Sequence, residues 1–544
     1  MPFFSSNRWG GNDKMEKIDQ LKQLAKNSKI SRREFMSTVT AMGVTAAAAT
    51  TMWSSSVQAA PKRGGRMRMG SGHGNTTDTL DPSTFNNGGI IQQGYAMRNH
   101  LSEVDNDGTL VPELAESWEA SDDASEWVFT LRQGVEFHNG KTMDANDVIS
   151  TMNYHRGEDS KSAAKPLLAP VTELKADGKN KVVFKLSGGS ADFPYTVSDY
   201  HLAILPADAS GKVDWQSGNG TGGYIKQKFE PGVRSTYKRN PNYFKAGRAH
   251  FDEVEFLTIT DVTARTGALT TGEIDAMSRC DLKTVHLLKR RPGIKVEEVT
   301  GTLHYTIPMH TDVAPFDNNH VRMALKYALD REVLLKTILR GHGVVGNDHP
   351  ISTANRYHNG DLPQRSYDLD KAKFHMKKAG LTSLNVDLSA ADAAFVGAVD
   401  AAVLYKEHAA KAGININVVR EPSDGYWSNV WLKKPWCMVY WGGRPTEDMM
   451  FSQSLASGAD WNESHFSHKR FMELLIKARA ELDQDKRRVM YYEMQKIVNM
   501  DGGTVVPLFA NYVFAMSDKV HHDPKMAGNW DMDGDKSLER WWFG

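Results

Sequence analysis

Five of the aromatic side chains between positions 426 and 441 stand out as residues suited to binding chemistry. They are Tyr426, Trp427, Trp431, Trp436 and Trp441. Aromatic rings give large apolar contact areas and stack on planar or sugar-like faces, so such a group can wall a ligand pocket. Tryptophan also fills protein cores, and we expect Trp431 and Trp436 to do so. The remaining three predict a pocket wall.

Motifs for catalysis, cofactors and metals are weak in this sequence. The glycine pattern at 341–346 follows a predicted helix, whereas a dinucleotide site needs a preceding strand. The acidic run at 531–535 resembles a calcium loop but lacks its glycine at the sixth position and its glutamate at the twelfth. The 19 histidines show no metal spacing, and Cys280 and Cys437 can be a buried pair or a disulfide. We predict no catalytic residue, no cofactor and no metal site.

Length and charge exclude several classes of protein. The chain has 544 residues, enough for about 3–4 structural units. Lys+Arg and Asp+Glu number 66 each, and this balance argues against nucleic-acid binding, which favours a basic surplus. A mean hydropathy of −0.49, with no apolar run of about 18 residues, argues against a membrane span.

A basic segment at the start of the chain is typical of an export signal. The run SRREFMS at 31–37 resembles the twin-arginine signal through Arg32, Arg33 and Phe35. A soft apolar stretch at 36–52 and small residues ending at Ala59 follow it, as in signal peptides. We expect residues 1–59 to be removed near Ala59 after export by the twin-arginine translocation machinery. The mature protein would then be soluble in a Gram-negative periplasm.

The rest of the sequence alternates between strand and helix patterns, which indicates an α/β fold. Strands are predicted at 66–70, 126–131, 181–186, 251–259 and 505–509. One helix is expected from His320 to Arg340, because apolar residues recur there at helical spacing and Gly341 follows. Two charged helices are expected within 469–497, and Asp144 is the predicted N-cap of another helix.

A series of phrases in fixed order resembles the extracytoplasmic solute-binding proteins of ABC importers, in the dipeptide, oligopeptide and nickel-binding class (family 5). The first half contains LDP at 80–82, LVPELAESW at 110–118, WVFTLRQGVEFHNG at 127–140, GTGGY at 220–224 and RNPNYF at 239–244. The second half contains PFD at 315–317, VRMAL at 321–325, ALDR at 328–331, DKA at 370–372 and DKRR at 485–488. The resemblance covers essentially the whole mature chain.

This resemblance implies a two-lobed α/β molecule with the periplasmic binding protein type II fold. The first lobe would comprise residues 60–303 and 508–544, with an extra subdomain at about 101–222, and the second lobe residues 304–507. A small solute would be buried between the lobes as they close, and closure would present the importer's permease with a recognisable shape. The implied partners are that solute and the permease subunits in the inner membrane. No reaction and no nucleic acid is implied.

The sequence departs from its family at the expected ligand anchor. Peptide-binding members end a second-lobe strand in Trp-x-x-Asp, and that aspartate holds the peptide's ammonium group. This chain keeps Trp441 but has Arg444 in the position of the aspartate, and Met438 replaces an upstream arginine of the oligopeptide-binding members. An arginine repels an ammonium and can grip a carboxylate or phosphate with two hydrogen bonds. We therefore expect a ligand that is peptide-like or an organic anion.

Several alternatives stay open at this anchor. Arg444 can instead pair internally with Glu447 or Asp448. A register shift of one or two residues would make Asp448 the acidic partner of a cationic peptide, and a metal chelate is a further possible ligand. An exported hydrolase on a similar scaffold is the alternative from another class of function.

The resemblance also suggests further ligand contacts. Trp427 matches a pocket tryptophan of the family, and His304 and Tyr305 lie at the expected hinge. Asn462 lies in a loop that often approaches ligand, and Asn86 and Asn87 follow a turn that faces the cleft in relatives.

Overall fold

The structure is a computed structural model that describes residues 17–18, 21, 30–42, 44–45, 48–50, 52, 61–422 and 426–544. The predicted cleavage point near Ala59 lies outside these residues. The predicted export motif lies at the start of the helix Arg32–Ala41, which Ser31 caps. The Ser31 hydroxyl accepts a hydrogen bond from the Glu34 amide, and the Glu34 carboxylate accepts one from the Ser31 amide.

The strands are numbered in chain order. They are β1 (Arg66–Ser71), β2 (Ser102–Val104), β3 (Leu110–Pro112), β4 (Ala115–Ala120), β5 (Glu126–Leu131), β6 (Val171–Ala176), β7 (Lys181–Leu186), β8 (Tyr224–Glu230), β9 (Arg234–Arg239), β10 (Glu253–Thr258), β11 (Ala276–Met277), β12 (Ile294–Pro308), β13 (Gly343–Val345), β14 (Leu384–Ala390), β15 (Ile414–Arg420), β16 (Val439–Trp441), β17 (Thr504–Ser517), β18 (Val520–His521) and β19 (Trp542–Phe543).

The helices follow the same order. They are α1 (Arg32–Ala41), α2 (Gly88–Met97), α3 (Ala145–His155), α4 (Lys165–Leu168), α5 (Phe193–Thr196), α6 (Val262–Thr271), α7 (Val285–Leu288), α8 (Asn319–Tyr327), α9 (Arg331–Thr337), α10 (Leu369–Lys378), α11 (Ala398–Ala410), α12 (Tyr426–Asn429), α13 (Glu447–Ser454), α14 (Lys469–Ala480), α15 (Gln484–Asp501) and α16 (Ser537–Arg540). A 3₁₀ turn at Pro82–Thr84 and a left-handed turn at Asp531–Gly534 complete the set. Among the described residues, no helix is long and apolar enough to cross a membrane.

Two long antiparallel strands, β12 and β17, connect the lobes. They belong to a nine-stranded sheet of order β16-β12-β17-β11-β1-β10-β9-β8, in which β13 also pairs with β17. One end of the pair meets β11 in the first lobe, and the other end meets β16 and β13 in the second. The lobe boundaries predicted at 303/304 and 507/508 fall inside these strands. The exact boundaries stay predictions.

Each part of the molecule has its own hydrophobic core. One core is built from residues between Ile307 and Ala510, and a second from residues between Met67 and Trp541 that lie on both sides of it in the chain. A third core, between Leu101 and Ile204, lies against the four-stranded sheet β4-β5-β7-β6. These are the two α/β lobes and the added subdomain that the sequence predicts.

Local predictions are confirmed at several elements and wrong at one. Asp144 caps α3, and two charged helices, α14 and α15, occupy the predicted segment. The single helix expected from His320 to Arg340 is instead two helices, α8 and α9. The chain turns at Ala328, and the Asp330 side chain accepts a hydrogen bond from the Val333 amide and starts the second helix.

The two cysteines are free thiols in separate cores. Cys280 lies in a small cluster with Val513 and Ala515, whereas Cys437 belongs to the second-lobe core. Burial raises the pKa of Cys280 to about 12, so its thiol stays protonated. The disulfide alternative is therefore wrong.

Candidate ligand-binding site

A cavity of about 290 Å³ lies between the lobes beside the hinge strands. Tyr195 comes from the first lobe, Thr302 from β12, and Arg444 from the second lobe. Two further cations, Arg356 and Lys525, also line it. Arg356 is paired with Asp192. Arg444 and Lys525, against Asp107 as the single acidic residue among the described lining residues, still give the cavity a positive balance of charge that suits an anionic group.

Arg444 enters this cavity because of how β16 ends. The strand pairs with β12 through His304 opposite Trp441, and then continues into two glycines. A Cβ atom on Gly443 would lie 1.6 Å from the Thr302 hydroxyl oxygen, so only glycine fits this close approach to the hinge. The next residue, Arg444, is thereby placed between the hinge and α13, which Thr446 caps.

The guanidinium of Arg444 is already partly engaged. Its Nε donates to Gln453 Oε1 at 2.5 Å, and its Nη1 donates to the carbonyls of Gly442 and Gly443, each at 3.1 Å. Within the described part of the chain, Nη2 has no hydrogen-bond partner and no ion pair joins Arg444 to Glu447 or Asp448. The Nη2 atom keeps two N–H groups for a ligand, and the two-bond grip stays a prediction. A ligand would contact Arg444 through Nη2 and through the positive charge of the guanidinium.

The charge on Arg444 faces the other lobe. Burial lowers the pKa of Arg444, and the neighbouring Tyr200 and Asp199 of the first lobe act in the opposite direction. The guanidinium carbon also lies 5.6 Å from the Trp441 ring, within the range of a cation–π contact. Arg444 thus remains a cation close to groups on both sides of the cleft.

The aromatic group divides into buried and exposed members. Trp441 and Tyr426 are buried, and the Tyr426 hydroxyl donates to the Met438 carbonyl at 2.8 Å. Neither ring lines the cavity, contrary to our expectation, and Tyr426 supports the pocket from the core. Trp436 is buried as predicted, and Trp431 packs against the core with its Nε1 donating to Glu463.

Three aromatic rings around the end of β16 are open to solvent. The exposed fractions are 40% for Trp427, 44% for Tyr440 and 45% for Trp461. The ring centroids of Trp427 and Tyr440 are 5.5 Å apart, and those of Trp461 and Trp441 are 5.9 Å apart, both in edge-to-face geometry. Trp427 therefore has the accessibility that its predicted role needs.

Neither of the two predicted hinge residues lines the cavity. His304 is fully buried, its Nδ1 lies 2.9 Å from the Thr302 carbonyl oxygen, and burial lowers its pKa to about 4. Tyr305 lies on the opposite face of β12 and stacks on Phe395 with 3.8 Å between ring centroids. His304 is thus a neutral part of the hinge and is unsuited to hold an anion.

Four other predicted residues are engaged in local structure. Asp448 accepts hydrogen bonds from Arg479, and the Asn462 side chain bonds the main chain of its own loop at Ala456 and Phe466. Asn87 caps α2, and its Nδ2 donates to Asp78 and to Asn86 Oδ1. These contacts give each of the four residues a structural role that needs no ligand.

Sequence reasoning missed three residues near the site. Trp461 precedes the asparagine that we singled out, and its aromatic character was the available signal. Arg356 and Lys525 reach the cavity from loops that are distant in sequence from Arg444. No local pattern marks either of them.

A family comparison agrees with this architecture. The model described as bacterial extracellular solute-binding proteins, family 5 Middle, matches residues 109–463, more than half of the chain. The chain belongs to the family 5 extracellular solute-binding proteins. It is the solute-binding component of an ABC importer, and it works with permease subunits. Members of this family bind their solutes and are not enzymes.

Individual relatives are similar over most of their length. The dipeptide-binding protein of Escherichia coli K12 is 26% identical over 432 residues, covering 72% of this chain and 79% of the relative. The structure of HbpA2 from Haemophilus parasuis has a TM-score of 0.76 at 21% identity, covering 84% of this chain and 96% of that one. AgaA from A. tumefacien R10, in complex with agropinic acid, has a TM-score of 0.70 at 22% identity, covering 88% and 99%. These structures confirm the two-lobed type II fold.

Proposed function

We propose that this solute-binding protein captures an organic anion or an acidic, peptide-like solute, and that Arg444 meets the anionic group of the ligand. The observation that carries the proposal is the position of Arg444. It lines the interlobe cavity together with Arg356 and Lys525. An ordinary peptide ammonium placed beside this cation would be repelled.

The state of Arg444 supports the proposal. Gln453 and two glycine carbonyls orient the guanidinium, so little side-chain entropy is lost when a ligand binds to Nη2. The partial burial of the side chain also strengthens its attraction for an anion, because solvent screening is weaker there. Trp427 and Trp461 do not line this cavity, but their exposed rings in the same lobe can contact a solute that extends beyond it.

The ligand class fits what some relatives are named for. The Escherichia coli relative is named as a dipeptide-binding protein, and AgaA was solved with agropinic acid. Both kinds of compound carry a carboxylate. We infer that this chain takes a solute of similar size and acidity and binds it without converting it.

Export of the chain from the cytoplasm is also part of the proposal. We infer export by the twin-arginine machinery through Arg32 and Arg33 and cleavage near Ala59, which gives a soluble periplasmic protein. The arginine pair opens the capped helix α1, in which Phe35 is buried. A variant with lysines at both arginine positions is expected to accumulate uncleaved in the cytoplasm.

A binding experiment tests the anion proposal. Purified mature protein is screened by thermal shift against carboxylates, phosphates and acidic dipeptides, and the compound with the largest shift is titrated by calorimetry. Arg444→Ala should weaken this binding about tenfold or more, because a charge-assisted hydrogen bond is lost. Arg470→Ala, which removes an exposed arginine paired with Glu493 in the same lobe, should bind like the wild type. Equal affinity of Arg444→Ala and the wild type would reject the proposal.

A further inference from the structure

We propose that Asp192 of the first lobe forms a latch with Arg487 and Arg356 of the second lobe, and that this latch sets how far the lobes are closed before any solute binds. Asp192 directly precedes α5, whose Phe193 belongs to the subdomain core. Arg487 lies on α15, which packs against the second-lobe core through Tyr491 and Met494. The contact therefore joins two separately packed bodies. This inference goes beyond the proposed function.

The geometry of the latch is that of a strong ion pair. Arg487 Nη1 donates to Asp192 Oδ1 at 2.8 Å, and Arg487 Nη2 donates to Oδ2 at 2.7 Å. Arg356 Nη2 donates to Oδ1 at 3.0 Å. Two parallel charge-assisted hydrogen bonds from one guanidinium fix the orientation of the carboxylate as well as its distance.

The latch is buried, and its charges depend on one another. Asp192 and Arg487 are both buried. Burial alone would raise the pKa of Asp192, but the hydrogen bonds and charge of Arg487 and the charge of Arg356 hold it below its ordinary value. The carboxylate is therefore ionised at neutral pH, and its two cationic partners are both in the other lobe. Arg356 also lies 4.0 Å from Glu447 of its own lobe, so Arg487 is the cation that depends most on Asp192.

Neighbouring contacts show that the lobes meet along a surface at this point. The Ala191 amide donates to the Arg479 carbonyl at 2.7 Å, which joins the subdomain to α14 through the main chain. The Arg356 guanidinium lies 4.9 Å from the Tyr195 ring of the first lobe and 4.4 Å from the Tyr357 ring of the second. Arg356 is thus held between one ring from each lobe.

Opening of the lobes would leave a buried cation without its counterion. Among the described residues, Arg487 otherwise donates to the Ala478 carbonyl and the Tyr491 hydroxyl, both in its own lobe. Removing one partner of a buried ion pair is costly, because the other charge stays desolvated. The latch therefore favours the closed arrangement, and the apparent affinity for solute rises with the closed fraction.

The test measures lobe separation in full-length mature protein stripped of solute by unfolding and refolding. Spin labels are attached to cysteines introduced at the exposed positions Lys179 in the subdomain and Lys477 in α14, and the interspin distance is measured by pulsed electron resonance. Asp192→Asn should lower the ratio of closed to open molecules about tenfold or more. An unchanged distance distribution would overturn the latch.

A matched variant separates latching from general stability. Asp348 is also buried and held by two arginines, Arg331 at 2.6 Å and Arg365 at 2.7 Å, but all three belong to the second lobe. Asp348→Asn should lower the melting temperature and leave the interspin distances unchanged. If Asp192→Asn behaves in the same way, the latch is refuted.

A milder variant covers the case in which Asp192→Asn does not fold. Arg356 is partly exposed and donates one of the three hydrogen bonds to Asp192, so Arg356→Gln removes part of the latch. This variant should shift the distances in the open direction by a smaller amount. Distances equal to those of the wild type in Arg356→Gln would also overturn the proposal, because no solute is present to mask the effect.

Discussion

At the scale of single residues, the environment of each side chain separates binding from structural roles. Arg444 and Asp448 are four positions apart, and the sequence allows either to anchor a ligand. In the structure, Asp448 is already paired with Arg479 at 3.1 Å, whereas Arg444 keeps one nitrogen without a hydrogen bond within the described residues. The cation is therefore the better candidate for contact with solute.

The buried carboxyl of Asp448 predicts a dependence of stability on pH. Burial, opposed by Arg479, raises the pKa of Asp448 from 3.8 to about 6. The protonated carboxyl is favoured in the folded state, so its stabilising contribution is complete below about pH 4. This contribution is lost as the pH rises through 6, because the buried carboxyl must then ionise. Asp448→Asn does not titrate. It should therefore gain up to about 3 kcal/mol of unfolding free energy over the wild type between pH 4 and pH 8.

Urea unfolding at the two pH values measures this difference. Asp485→Asn makes the same chemical change at an exposed position on α15 and should follow the wild type. A stability difference between Asp448→Asn and the wild type that is the same at pH 4 and pH 8 would show that Asp448 does not titrate in this range.

At the scale of elements, the end of β16 decides where Arg444 lies. Gly443 lets the chain pass against Thr302, since a Cβ atom there would lie 1.6 Å from the hydroxyl oxygen and 2.2 Å from the Thr302 Cβ. Gly443→Ala should therefore destabilise the protein by about 1–3 kcal/mol, as overpacking does, and should displace Arg444. Thermal unfolding and solute titration of the same variant check both effects.

Gly360→Ala is the control for this substitution. No atom lies within 4 Å of a Cβ atom built at Gly360, and its backbone is outside the left-handed region. We expect a change within about 0.5 kcal/mol of the wild type. If Gly443→Ala is as well tolerated as Gly360→Ala, the close approach to the hinge does not position Arg444.

Helices and strands were easier to predict from the sequence than the contacts between distant segments. Alternation of apolar residues marks β5, a short apolar run marks β7, and Asp144 marks the start of α3, because these signals are local. The break between α8 and α9 was missed, because the apolar spacing continues across Asp330. Arg356 and Lys525 were missed for another reason. Their places depend on contacts between segments far apart in the chain.

At the scale of the whole molecule, two kinds of contact hold the lobes together. Around the interlobe cavity, Arg444 faces groups of the first lobe, which a solute would bridge. The ion pair between Asp192 and Arg487 joins the subdomain to α15. Solute binding to the closed form should add to stability by mass action. A solute at about 100 times its dissociation constant should add about 2.7 kcal/mol.

Comparison of the purified protein before and after solute is stripped checks this linkage. The stripped protein should melt at a lower temperature, and the difference should return when the solute identified in the screen is restored. An identical melting temperature in both states would show that the protein was purified without solute or that solute does not favour the closed form.

Native mass spectrometry of the wild type and of Arg444→Ala, expressed in parallel, tests the central claim most directly. The wild type should carry a bound compound with a carboxylate or phosphate group, and that compound should be absent or strongly reduced in the variant. A compound retained equally by both proteins, or one whose only charged group is cationic, would contradict Arg444 as the anion anchor of this solute-binding protein.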